Sequence, residues 1–172
     1  MKPKRFLITI FVMTILVTMF FQTDIAESKV VTDGLLSYWT FDAADIADET
    51  AKDTWGKRDG IILGDTYVTE GIIGDALEFD GSGDYVEYDA AGLPEGNAPR
   101  TMSVWVKPEG AGVRAALEWG TSANTQRCSI LVLAAEKIKF CGQNADVISN
   151  GSVVNGEWHH VCETYDGTTM RI

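Results

Sequence analysis

Positive charge is scarce in this sequence: 14 Lys and Arg stand against 25 Asp and Glu, a formal net charge of −11 over 172 residues. An acidic surface repels nucleic-acid backbones and anionic lipid, so nucleic-acid binding is disfavoured and no membrane contact is expected of the mature form. Clustered carboxylates would instead suit a hard cation such as Ca²⁺. Cysteine is also sparse. Cys128, Cys141 and Cys162 admit at most one internal bridge, and no cysteine follows the N-terminal apolar run, which argues against a lipoprotein anchor. The two histidines, His159 and His160, are adjacent, so on a strand they point to opposite faces and cannot easily grip one ion. There is no Ser/His/Asp set, phosphate-binding loop or CxxC. The nearest approach to the paired carboxylates of a glycosidase is Glu87-Tyr88-Asp89, with no second glutamate after it, and Glu163 to Asp166 has the wrong spacing. The chain is therefore not expected to be an enzyme. Beyond Lys29 no segment carries a helical stripe, no internal repeat stands out and there is no low-complexity tract.

What the sequence does hold begins with Met1-Lys2-Pro3-Lys4-Arg5, followed by an apolar and threonine run from Phe6 to Phe21. That is a basic region ahead of a hydrophobic one, shorter than the roughly 20 residues a spanning helix needs. With small residues at Ala26 and Ser28 before Lys29, residues 1–28 read as a cleaved signal peptide, with an uncleaved anchor as the alternative. The chain is thus expected to be secreted or at the cell surface, in an oxidising compartment. Residues 29–172 suit one domain with a sizeable core.

Alternation marks that domain as all-β. In Leu35 to Asp42, Leu35, Trp39 and Phe41 share one face, as in a first strand; Ala43 to Gly60 reads as a long surface loop, and Ile61-Ile62-Leu63 as a short strand. Ala76 to Asp80 and Tyr85 to Asp89 flank the turn Gly81-Ser82-Gly83-Asp84 and predict a hairpin, with Gly64 to Gly74 before it a turn-rich connection. Further strands are predicted at Thr101 to Lys107, closed by Pro108, and at Ala115 to Trp119, Cys128 to Leu133, Ile138 to Cys141, Val147-Ile148 and Trp158 to Tyr165. The last is bracketed by Asn155-Gly156 and Asp166-Gly167, dipeptides that supply the positive φ angles of tight turns. Many short strands at this spacing predict an antiparallel β-sandwich or jelly roll. If Ala134 to Lys137 is the loop between two of them, Leu133 pairs with Ile138 and Cys128 lies diagonal to Cys141. A Cys128–Cys141 disulfide is then reachable, with small buried thiols as the alternative.

The strand "GEWHHVCETYDG" (Gly156 to Gly167), with "GLLSYWTFD" (Gly34 to Asp42), "DTWGKRDG" (Asp53 to Gly60), "GDALEFDGSGDYVEY" (Gly74 to Tyr88) and "MSVWVKPEG" (Met102 to Gly110), resembles laminin-G-like jelly rolls of the concanavalin A-like lectin/glucanase superfamily. The resemblance implies two antiparallel sheets, one concave, and a role in recognising sugar or an extracellular or cell-surface protein. It also implies structural Ca²⁺ near the end of the first strand, for which Asp42, Asp53 and Asp59 are the candidate ligands, with backbone carbonyls completing the set. The alternative for Asp53 and Asp59 is capping of their own turns. Members usually return their final strands beside the first, whereas here a new strand opens at Met170-Arg171-Ile172 and the sequence stops. The chain is accordingly expected to be part of something longer.

For sugar, Trp55, Trp105 and Trp119 could offer flat faces to pyranose rings, although tryptophans in a sandwich more often pack in the core, as expected for Trp39 and Trp158. Trp105 is the best surface candidate because it shares a face with Ser103 and Lys107. The function expected is an exported, non-catalytic binding module, with an accessory fragment of a glycoside hydrolase or polysaccharide lyase, or a ligand-free spacer, as alternatives.

Overall fold

The computed structural model describes residues 32–172, apart from 111, 122–126 and 142–145. The expected signal peptide, residues 1–28, lies outside the described residues.

Antiparallel strands dominate. In chain order they are β1 (Ile46–Ala47), β2 (Thr50–Ala51), β3 (Gly60–Leu63), β4 (Tyr67–Glu70), β5 (Asp75–Glu78), β6 (Tyr85–Tyr88), β7 (Arg100–Val106), β8 (Arg114–Trp119), β9 (Cys128–Val132), β10 (Ile138–Cys141), β11 (Val147–Ile148), β12 (His159–Tyr165) and β13 (Met170–Arg171). They form the sheets β1-β2-β3-β6, β11-β10-β9-β8 and β13-β12-β7, and the β4-β5 ribbon. The only helical element among the described residues is a single 3-10 turn, Ala43–Asp45. This is the all-β sandwich that the alternation predicts.

The core forms where the β8–β11 sheet supplies Trp119, Cys128, Ile130, Val132, Ile138 and Phe140, and the β7–β12 sheet supplies Met102, Val161 and Tyr165. In β10 the buried residues Ile138 and Phe140 alternate with the half-buried Lys139 and Cys141, while every residue of β9 is buried. β7 follows the predicted alternation, with Met102 inward and Ser103 and Trp105 outward. It pairs with β12 over that strand's whole length, from His159 opposite Val106 to Tyr165 opposite Arg100. The turns at either end of β12 are built as their sequences suggest. Asn155 Oδ1 accepts the Glu157 N–H, and Asp166 Oδ1 accepts the N–H groups of Thr168 and Thr169, beside Gly156 and Gly167 at positive φ.

Three expectations need correction. The predicted hairpin is not one: β5 pairs with β4, inside the stretch read as a connection, and β6 pairs with β3. The Gly81–Asp84 turn therefore joins strands that have different partners. Residues 35–42 are not a ladder strand either. Their alternation holds, with Leu36 and Tyr38 exposed and Leu35 and Trp39 partly covered. The backbone bonds, however, go to loop groups: the Tyr38 N–H to Asp53 Oδ1, and the Tyr38 carbonyl to the Thr54 N–H and hydroxyl.

The third correction is the disulfide, because Cys128, Cys141 and Cys162 are all free thiols. Ile138 pairs with Val132, not Leu133, which sets Cys141 opposite Ser129. A slip of one residue moves a side chain to the other face of the pleat. Cys128 therefore points into the core and Cys141 away from it.

Candidate functional site

Two places in the fold gather chemistry: the acidic loops and the outer face of the β13-β12-β7 sheet. Among the acids, Asp53 is buried and serves its own loop. Its Oδ1 accepts the N–H groups of Tyr38, Trp55 and Gly56, and its Oδ2 that of Arg58. Burial alone would raise this carboxyl, but the four backbone donors outweigh it and hold the group below the ordinary carboxylate range. Asp59 Oδ1 in turn accepts the Asp53 N–H, while Asp42 Oδ1 accepts the Asp75 N–H from the β4-β5 ribbon. These bonds are those of the capping alternative for Asp53 and Asp59, and Asp42, Asp53 and Asp59 are not among the described acids whose oxygens converge within 4.8 Å of one another.

The carboxylates that do converge are Asp65, Asp80 and Asp84, with one oxygen of each within 4.8 Å of the others. Asp84 organises them: its Oδ2 accepts the Asp80 N–H at 2.7 Å and its Oδ1 the Asp65 N–H at 3.0 Å. These bonds, that of Asp80 foremost, hold its carboxyl below the usual range. Gly64, at φ +85, makes the approach feasible, since a Cβ there would lie 2.1 Å from Asp84 Oδ1. Three oxygens at a solvent-facing loop fit part of the shell of a hard cation, with water completing it. On sequence alone Asp84 reads only as a turn residue, yet the run Asp80-Gly81-Ser82-Gly83-Asp84 carries the signal: two acids brought back together by glycines.

The three tryptophans separate clearly. Trp119 is 7% exposed, belongs to the core and donates Nε1–H to the Pro94 carbonyl, so it offers no face to a ligand. Trp55 is 51% exposed and tethered through Nε1–H to the Leu35 carbonyl, beside exposed Leu36 and Tyr38. Trp105 is 41% exposed, with its ring 5.0 Å from that of His160 at 42°.

His160 lies directly opposite Trp105, Cys162 opposite Ser103, and Thr164 opposite both Thr101 and Arg171. Opposed residues of an antiparallel pair share a face. The indole thus stands among hydroxyls, an imidazole and a thiol, with exposed Lys107 beyond the end of β7. Ser103 Oγ and His160 Nε2 are hydrogen bonded at 2.7 Å, which fixes the imidazole against the indole. No strand position on this face carries a carboxylate, although Asp166 reaches Arg171 at 3.2 Å from the neighbouring turn. A groove of about 470 Å³ runs along the same strand, lined by Ile148, Asn150, Val153, His159, Cys162 and Arg171 among others. His159 turns to the other side and bonds Asn155 at 2.8 Å, so the two histidines diverge as their adjacency predicts.

Comparison with known proteins supplies the family. A family model described as concanavalin A-like lectin/glucanases superfamily, of laminin-G type, matches residues 80–172, which include every strand of both core-forming sheets and the Trp105 face. No curated protein and no solved structure matches the chain. Laminin-G-like domains are in general non-catalytic modules that bind carbohydrate or protein. On the strength of that match and of the antiparallel sandwich it falls upon, the chain belongs to the laminin-G-like branch of the concanavalin A-like lectin/glucanases superfamily.

Proposed function

We propose that this chain is an exported carbohydrate-recognition module whose sugar platform is the outer face of the β13-β12-β7 sheet. The observation that carries this reading is Trp105, half-exposed and braced by His160, on a sheet face where a strongly acidic chain places no strand carboxylate. A pyranose stacks its C–H face on an indole while its hydroxyls need donors and acceptors at the rim. Ser103, Thr101, Thr164 and Lys107 supply those groups here. Ser103 and His160 pair on this face, but no strand carboxylate there orients the imidazole and no two acids stand together, an arrangement that favours binding over bond cleavage.

Ca²⁺ enters this reading at Asp65, Asp80 and Asp84, where it would tie the loop before β4 to the loop before β6. It would act as a structural brace remote from the sugar. A glycan array probed with the wild type and with Trp105→Ala, each in Ca²⁺ and in EDTA, tests both parts. The reading expects wild-type binding that Trp105→Ala abolishes. Wild type that binds no glycan in either condition would leave a ligand-free spacer.

A further inference from the structure

The core face of the β7–β12 sheet carries two charged side chains where apolar ones are expected. Glu163 is 1% exposed and Arg100 is 7% exposed. Glu163 lies opposite Met102 and Arg100 opposite Tyr165, so both point inward between the sheets. They do not satisfy one another. Neither carboxylate oxygen of Glu163 has a hydrogen-bond partner, and Arg100 Nε has none. Arg100 spends its Nη1 on the Gly96 and Ala98 carbonyls, both at 3.0 Å, and lays its guanidinium 4.8 Å from the Tyr165 ring centre and 5.6 Å from that of Phe140. Loop carbonyls and aromatic rings therefore hold the arginine.

The other titratable groups around Glu163 give it no compensation. On β12 itself, inward-facing His159 is bonded to Asn155 and Tyr165 reaches Asn97. Across the core, the facing sheet offers only Cys128 among the core residues it contributes, and burial raises that thiol, keeping it neutral. An ionised carboxylate with no partner is strongly disfavoured in such surroundings, whereas a protonated one is tolerated.

We propose that Glu163 is a proton-controlled latch in the sandwich core: neutral, it lets the β7–β12 sheet close on the β8–β11 sheet, and ionised, it drives β12 toward water. Burial pushes the Glu163 carboxyl up to about 8, with Arg100 pulling in the opposite direction, against an ordinary value of 4.5. The folded state thus keeps a proton that the unfolded state has already lost between those values. Stability is full below about 4.5, falls as pH rises toward about 8, and levels off above. The latch is independent of what the outer face binds.

Thermal unfolding of the whole chain from pH 4.5 to 9, for wild type and Glu163→Gln, tests it alongside a ¹³C-carboxyl NMR titration of the wild type. The latch predicts a melting temperature that drops across this window in wild type by more than in Glu163→Gln, and a Glu163 resonance that titrates near 8. The same pH slope in both proteins, or a Glu163 carboxyl that titrates at or below its ordinary value, would overturn it. Should Glu163→Gln fail to fold, the wild-type titration decides alone.

Discussion

Asp53 accepts four backbone N–H groups, and replacing it with alanine removes the acceptor they share. Each buried donor left unpaired costs on the order of 1–3 kcal/mol, less where water can enter. Asp53→Ala is therefore expected to destabilise the domain by at least about 2 kcal/mol in urea unfolding, by the same amount in Ca²⁺ and in EDTA. A loss seen only in Ca²⁺ would restore Asp53 as a metal ligand. Trp119 and Trp105 show the same dependence on surroundings. Both were candidates for stacking on sugar, and burial alone separates the core member from the surface one. The polar company of Trp105 at two-residue spacing was readable in the sequence, but the enclosure of Trp119 depends on Pro94 and on the opposing sheet.

At the level of elements, pattern located β7 to β12 closely, because these segments alternate or are largely apolar between Gly, Asn, Ser or Pro breaks. Partnership was less legible. Val86 and Tyr88 identify a strand with one dry face, yet nothing local says that its neighbour is β3 and not β5. The strap of residues 35–42 alternates like a strand, while its hydrogen bonds end on Asp53 and Thr54, which no periodicity reveals. Register is the finest such property, and here it decides the thiols.

With Cys128 in the core and Cys162 exposed on β12, a thiol reagent is expected to label Cys162 in the folded protein and Cys128 only on unfolding, at least tenfold slower. Reductant should leave the melting temperature unchanged, and a Cys128–Cys141 peptide found by mass spectrometry would contradict the register. The glycine-bearing loops allow a second test. Ca²⁺ is expected to raise the melting temperature by a few degrees, and Asp84→Asn to remove that increment, because Asp84 holds both Asp65 and Asp80 in place. Equal melting with and without Ca²⁺ in wild type would leave the loop a hydrogen-bonded turn and no more.

On the scale of the whole molecule, the two sheets divide the labour. Among the buried residues of their inner faces only Arg100 and Glu163 are charged, and the outer face of one sheet is left free of strand carboxylates while acids populate the loops and other strands. In the proposed reading, such segregation leaves the sugar platform free of the chain's own strand carboxylates. The most direct measurement is an amide NMR titration of the domain with a glycan retained on the array, with Trp55→Ala as a control variant. The account predicts shifts confined to residues 101–107 and 160–164, unchanged in Trp55→Ala. Shifts centred on Leu36, Tyr38 and Trp55, with residues 101–107 silent, would contradict it.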